Sequence, residues 1–375
     1  MDEAWVAGKI DSYIEELSLE HNVQQLREAY ERLPAGMSPL KKYETALKLV
    51  TMSPDHLFIQ FSDEIQDAKA RYVSYALLKS HPSAEFKRDY RLFEGGKMSA
   101  GEFVGNVVAD PKFEKFLRHF VDGWLELGTE LDEKEFSQFK RQLPFRKETV
   151  AYLNHLFANN RPVKELYSSD YTVLDLTLAN YYGIQDPGGL ERYKFSPVKL
   201  NRARQGGVLS QGNFFLSHSS GVDPLPFARA KWVSENIFDR KIPEPPNNVD
   251  SGEFVTTREL KTFQERTAAH AQSESCRSCH QLLDPIALAM HNFDTIGQRI
   301  TLQDLESEAR LQHRIAKAEA QMATAFTREL VSFVVGRKTT VFDSHAVSKI
   351  VKNTAPNHYA LQDILAEVVN VYFRK

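Results

Sequence analysis

The sequence contains little cysteine, no long apolar run and no strong net charge. Its 375 residues include two cysteines, so a fold held together by several disulfides is excluded. No run of about eighteen apolar residues occurs, and a membrane-spanning helix is therefore not expected. The net charge of −3 argues against a nucleic-acid-binding or membrane-surface protein. The length suffices for two or three domains with hydrophobic cores.

Both cysteines lie in one pentapeptide. Cys276-Arg277-Ser278-Cys279-His280 has the C-x-x-C-H spacing of a c-type haem attachment site. Two thiols one helical turn apart can add to the two vinyl groups of a haem. The adjacent His280 can then become the proximal iron ligand. We interpret the motif as the attachment site of one covalent haem c, with Cys276 and Cys279 as anchors.

Three other interpretations of the motif remain open. A redox-active C-x-x-C is expected in a βαβ setting, whereas the patterns in this chain are mainly helical. A zinc site needs a fourth ligand and usually a second paired motif, and the chain has no further cysteine. A structural disulfide between Cys276 and Cys279 would not require His280. The haem interpretation accounts for all three residues.

The first residues of the chain do not resemble a signal peptide. Met1-Asp2-Glu3-Ala4-Trp5 lacks a basic region followed by an apolar core. Since c-type haem is normally attached outside the bacterial cytoplasm, we expect either that a leader has been removed or that the chain is a piece of a longer protein. We favour the second explanation. The expected location is the periplasm, the cell envelope or the extracellular space.

Apolar residues spaced by three and four predict a mostly α-helical fold with no sheet in residues 1–185. The clearest stripe runs from Phe113 to Leu125, and the pair Asp110-Pro111 is expected to be its N-cap and first helical position. Other helices are expected near residues 14–30, 38–50, 72–78 and 149–157. We assign residues 1–185 to a helical N-terminal domain.

Glycine and proline are dense in residues 186–255, which predicts a loop-rich connecting segment. A charged amphipathic segment follows over 256–272. Asp284-Pro285 is expected to start a short helix, and a long helical pattern over about 303–335 is expected to end at Gly336 as a C-cap. A final helix is expected over 359–373. Residues 256–375 are therefore assigned to a C-terminal cytochrome c-like helical haem domain.

Several motifs resemble those of planctomycete-type multi-domain c-type cytochromes, whose modules are mostly of unknown function. The best match is the segment from Cys276 to Gly297. The resemblance also includes the segments 46–54, 110–125, 170–183, 207–212, 231–233, 243–246 and 331–337. It implies electron transfer at the cell envelope, sometimes beside polysaccharide-degrading modules. The resemblance therefore predicts architecture more than mechanism.

The sixth iron ligand would decide between electron transfer and ligand chemistry. Met322 follows His280 at a plausible distance, but it also lies on an apolar stripe typical of a core helix. Met290 is a second methionine candidate. His270 matches a family position just before the cysteines, and it could ligate iron, bind a propionate or cap a helix. Met322 and His270 are the distal candidates, with core packing or a structural role as alternatives.

Two further residues could support a haem. A proximal histidine usually donates its second ring N–H to an acceptor, and the carbonyl of Pro285 could accept it, as a proline carbonyl does in many small c-type cytochromes. The alternative for Pro285 is a plain helix start. Arg299 could neutralise a haem propionate, although an arginine in solvent is the more ordinary situation.

These observations predict an extracytoplasmic cytochrome c that transfers single electrons to or from a redox partner. That partner could be a separate protein or another module of a longer envelope polypeptide. The alternative is a haem enzyme or sensor, peroxidase-like or gas-binding, with an open or weak sixth position. A third possibility is a scaffold whose helical domain binds a partner. No nucleic-acid partner is expected.

Overall fold

The computed structural model describes residues 67–126, 144–184, 189–200, 206–243, 262–271, 274–302 and 305–374, with scattered positions between 33 and 48. The described chain is mostly helical, which confirms the predicted fold class. It divides into two compact units. The first comprises residues 1–103 and 373–375, and the second comprises residues 104–372. The domain boundaries at residues 185 and 255 stay predictions.

Aromatic side chains form the core of the first unit. Helices α1 (Ala68–Leu78) and α2 (Ala84–Glu94) are followed by α3 (Ala100–Ala109), which runs on past residue 103. The Ser83 hydroxyl caps α2 by accepting a hydrogen bond from the Phe86 amide. The rings of Phe93 and Phe103 stack with centroids 5.1 Å apart. The helix expected near 72–78 is thus confirmed, whereas those near 14–30 and 38–50 lie largely outside the described residues.

The second unit begins with the apolar stripe that the sequence predicts. Its first long helices are α4 (Phe113–Trp124) and α5 (Phe145–Ala158). The buried side chains of α4 are Phe113, Phe116, Leu117, Phe120, Val121 and Trp124. Helix α4 begins two residues later than predicted, at Phe113 instead of Pro111. The Asp110 carboxylate accepts a hydrogen bond from the Lys112 amide, so Asp110 and Pro111 form a turn before the helix.

A small sheet contradicts the expectation of no sheet before residue 185. Strand β1 (Tyr171–Leu174) pairs antiparallel with β2 (Ser196–Lys199), with Tyr171 opposite Lys199 and Leu174 opposite Ser196. A four-residue strand is too short to show alternation. Its partner lies in the glycine-rich segment, where no strand is apparent from composition. A short helix, α6 (Leu176–Tyr181), follows β1 directly.

The segment predicted to be loop-rich also holds regular structure. Helix α7 covers Gly212–Ser217, and α8 covers Pro226–Asn236 with its proline in the first turn. A proline at that position costs no helical hydrogen bond and favours the helical φ angle, so Pro226 begins the helix instead of preventing it. The prediction of loops throughout 186–255 is therefore wrong for α8.

The motif helix is longer than expected. Helix α9 (Phe263–His270) precedes α10 (Glu274–Met290), which contains the C-x-x-C-H motif and has Pro285 in its interior. The prediction that Asp284-Pro285 starts a short helix is wrong. The loss of one amide donor at Pro285 does not end the helix, because the turn that follows the proline is held in the core by the buried side chains of Ile286, Ala287 and Met290.

The remaining helices close the second unit. They are α11 (Leu305–Ala316), α12 (Glu319–Val335), α13 (Ser344–Thr354) and α14 (Leu361–Phe373). The single helix expected over 303–335 is thus two helices, while Gly336 ends α12 with a φ of 75°, as expected. Helix α10 packs against α8, α9 and α11, whereas α12 packs against α4, α8 and α13.

None of the helices in the described ranges is both long and apolar enough to cross a membrane.

Candidate functional site

Helix α10 places the residues of the C-x-x-C-H motif on neighbouring positions of one helical surface. Cys276 and Cys279 are three positions apart, and His280 follows Cys276 by four, so the three positions fall on adjacent turns of one helix. Arg277 and Ser278 between them are exposed. Cys279 is half-buried and forms no disulfide. The side chain of Cys276 lies outside the described residues.

The His280 imidazole is held by a carboxylate from its own helix. Its Nδ1 lies 2.6 Å from the Asp284 Oδ1, and both side chains are largely buried. Since the carboxylate accepts, we assign the proton to Nδ1, which leaves Nε2 as the nitrogen able to face a metal. Four residues separate His280 and Asp284, so the continuous helix through Pro285 is what brings them together.

Aromatic rings from two other helices surround this histidine. Phe227 in α8 contacts the His280 ring edge-to-face, with centroids 5.1 Å apart. Phe227 also contacts Phe263 in α9 at 5.8 Å, and Phe263 stacks on His291 just after α10. The three helices α8, α9 and α10 therefore meet in one aromatic cluster. This cluster restricts the rotation of the His280 ring.

A buried arginine fixes the end of the motif helix. Arg229 in α8 is fully buried, and its guanidinium donates to the carbonyls of Met290, Phe293 and Asp294 at 3.0, 2.9 and 2.7 Å. Burial lowers the pKa of Arg229 to about 10, so the side chain stays charged at neutral pH. A positive charge at a helix C-terminus is favourable. Sequence analysis missed this residue, although an arginine within the apolar run Phe227-Ala228-Arg229-Ala230 was a signal.

Pro285 and Arg299, the two residues predicted to support a haem, have other surroundings in the structure than the sequence suggested. The group at His280 Nδ1 is the Asp284 carboxylate, and Pro285 lies within the helix. The Arg299 guanidinium makes two hydrogen bonds with the Glu308 carboxylate, both 2.7 Å, and lies over the Phe293 ring. Arg299 is therefore already paired with an anion in this structure.

The candidates for the sixth iron ligand lie on three different helices, α12, α10 and α9. Met322 is buried within α12. The helices that pack most extensively on α10 do not include α12. Met290 is the last residue of α10 and lines a cavity beside it. His270 ends α9, and its side chain lies outside the described residues.

The cavity beside the end of α10 has a volume of about 1020 Å³. Its interior is formed by rings and aliphatic chains, among them Tyr182, Phe215, Met290 and Phe293. Neither His280 nor Cys279 is among the lining residues. The cavity is thus a feature separate from the motif.

Comparisons with known families find three matches along the chain. Residues 66–184 match "Protein of unknown function (DUF1592)", residues 205–303 match "Protein of unknown function (DUF1588)", and residues 303–372 match "Protein of unknown function (DUF1585)". All three are domain families of planctomycete-type cytochromes c. The resemblance seen in the sequence is confirmed at this level. The match over 205–303 includes the C-x-x-C-H motif.

No curated protein and no solved structure matches the chain. In the part of the chain that the structure describes, no three side chains of His, Cys, Asp or Glu are grouped to hold a metal ion.

Proposed function

We propose that this protein is an extracytoplasmic c-type cytochrome with one covalent haem c, and that it transfers single electrons to or from a redox partner. The observation that carries the proposal is the 2.6 Å contact between His280 Nδ1 and the Asp284 carboxylate on the helix that contains both cysteines. Metal-ligating histidines usually have such an acceptor behind them. The three matched domain families support the same class of protein.

The donor set of α10 fits this cofactor. Cys276 and Cys279 would hold it through thioethers, and His280 Nε2 would be the axial ligand. Haem c, when bound, supplies an iron that gains and loses one electron. Asp284 keeps the proton at Nδ1 and fixes the tautomer, while Phe227 limits ring rotation and keeps water from one side of the imidazole.

A second function, a haem enzyme or sensor, is favoured by the same acceptor. A carboxylate makes the imidazole a stronger electron donor than a neutral carbonyl would, and this stabilises oxidised iron. Such a ligand suits a site with an open or weak sixth position. Met322, His270 and Met290 remain candidates for that position.

Covalent attachment is tested with protein produced in a bacterium that has c-type assembly machinery. The wild type should keep its haem through acid–organic extraction and gain one haem mass under denaturing conditions, because thioether addition loses no atoms. A Cys276→Ala/Cys279→Ala double variant from the same host is the matched control and should lose all haem on extraction. A wild type stripped as completely as this control would refute the proposal.

The visible spectrum separates the two functions. A low-spin reduced spectrum that ignores carbon monoxide supports electron transfer, whereas a high-spin spectrum that shifts with carbon monoxide supports the enzyme or sensor. For a low-spin protein, Met322→Ala should remove the near-infrared band of methionine–iron(III) coordination if Met322 is the ligand. If His270 is the ligand, His270→Ala should instead make the protein high-spin while Met322→Ala leaves the spectrum unchanged.

The partner and the location follow from this proposal. Covalent attachment of haem c would place the protein in the periplasm, the cell envelope or the extracellular space. The expected partner is a redox protein or another module of a longer envelope polypeptide.

A further inference from the structure

A second binding site is suggested by the cavity between β2, α7, α11 and the end of α10. Its volume of about 1020 Å³ lies at the upper end of the range for small-molecule sites. The motif residues do not line it. Binding of a ligand in this cavity would not depend on whether the chain carries haem.

The cavity walls are fixed by contacts within the protein. The Tyr182 hydroxyl donates to the Glu148 carboxylate at 2.7 Å and accepts from the Gly212 amide at 2.7 Å, so its ring has one orientation. At Gly297, with a φ of 83°, an added Cβ would lie 2.6 Å from the Phe215 ring. Only glycine allows this close approach. A site with such preorganised walls loses little entropy when a ligand binds.

Charged groups at the cavity are unbalanced. Arg299 and Glu308 neutralise each other through their two hydrogen bonds. Lys199 also lines the cavity and is exposed, and none of the acidic side chains described around the cavity pairs with it. The described residues of the lining therefore carry one excess positive charge. The exposed amides of Gln298 and Gln312 add hydrogen-bonding groups near this charge.

We propose that this cavity binds a small amphipathic organic anion, with an apolar or aromatic body against Tyr182, Phe215 and Phe293 and a carboxylate, sulfonate or phosphate near Lys199. Aromatic walls take up an apolar body, because burial of apolar surface is favourable and ring pairs add to it. The unbalanced lysine selects for a negative group on the ligand.

The test uses the full chain as matured in the host and two probes. Anilinonaphthalene sulfonate carries the anion, and phenylnaphthylamine has the same ring system without it. Binding is measured by equilibrium dialysis, which is insensitive to any quenching by haem. The wild type should bind one sulfonate probe per chain and bind it more tightly than the neutral analogue.

Charge variants at the cavity mouth give the sharper comparison. Lys199→Gln should weaken binding of the sulfonate about two- to fivefold, since an exposed ion pair is worth that much. At exposed Gln312, Gln312→Lys should strengthen binding and Gln312→Glu should weaken it by similar factors. Lys147→Gln removes an exposed charge on α5, which is not at the cavity, and should change nothing.

Circular dichroism of each variant establishes that the fold is kept. The proposal is overturned if the probe does not saturate at one site, if the neutral analogue binds as tightly as the sulfonate, or if the two Gln312 variants bind alike.

Discussion

The buried guanidinium of Arg229 makes a strong prediction about stability. Arg229→Met keeps much of the side-chain volume but removes the donors to the carbonyls of Met290, Phe293 and Asp294. Each carbonyl left without a partner in the interior costs about 1–3 kcal/mol. The removal of a buried charge returns part of this. We therefore expect a net loss of about 3–5 kcal/mol, the range for a broken buried charged contact.

Arg229→Lys should be intermediate, because an ammonium retains the charge but cannot reach three carbonyls with the geometry of the planar guanidinium. The surface control is Arg118→Met, which removes an exposed pair with Glu114 on α4. Such a pair contributes at most about 1 kcal/mol. Urea unfolding followed by circular dichroism measures all three variants against the wild type.

The wild type and Arg118→Met should be about equally stable. Arg229→Lys should be less stable than both, and Arg229→Met should be the least stable. An Arg229→Met protein as stable as the Arg118→Met control would show that the guanidinium does not fasten the end of α10. The reasoning from its three hydrogen bonds would then be refuted.

Three further predictions concern single side chains. His280→Ala should abolish the low-spin visible spectrum of the matured protein, and the exposed His313→Ala should not; an unchanged His280→Ala spectrum would exclude His280 as ligand. Asp284→Asn should raise the reduction potential of the haem, because a neutral amide makes the His280 imidazole a weaker electron donor to iron. Asp223→Asn, in an exposed loop, should leave the potential unaltered. If a redox titration gives the Asp284→Asn variant the same potential as the wild type, Asp284 does not have this role. The pKa of Asp343 lies well below its ordinary value because Arg337 and the Thr340 amide hydrogen bond to the carboxylate. The stability that the Asp343 carboxylate adds is therefore present above about pH 4 and is lost as the pH falls below it. Asp343→Asn should be less stable than the wild type at pH 7, and the difference in their free energies of unfolding should become smaller in acid. A difference in urea unfolding that does not change with pH would rule this out.

The helical class and the ends of several helices could be predicted because the evidence for them is local. In α4 the buried side chains recur every three or four residues, and Gly336 marks the end of α12 because a left-handed residue there favours glycine. The C-x-x-C-H motif is equally local. The two-stranded sheet was missed because β1 and β2 are short and their pairing joins residues more than twenty positions apart.

The side-chain contacts that hold the motif helix in place could not be predicted from these local patterns. Asp284 was not recognised as the partner of His280, since Pro285 suggested a helix start between them. The partners of Arg229 lie 61 to 65 residues further along the chain, and no local spacing encodes such contacts. The aromatic cluster of Phe227, Phe263 and His280 joins three helices for the same reason.

The proline inside α10 has a consequence for how the motif becomes accessible. Pro285 cannot donate a hydrogen bond to the carbonyl of Gln281, so the series of helical hydrogen bonds is interrupted between the motif and the buried residues that follow, among them Ile286 and Met290. The half before the proline has exposed positions at Arg277 and Ser278, whereas the half after it is anchored by Arg229. Local opening should therefore cost much less free energy before the proline than after it. If the proposed haem is attached, local opening before the proline would expose both cysteines to the attachment enzyme while the core of the unit stays folded.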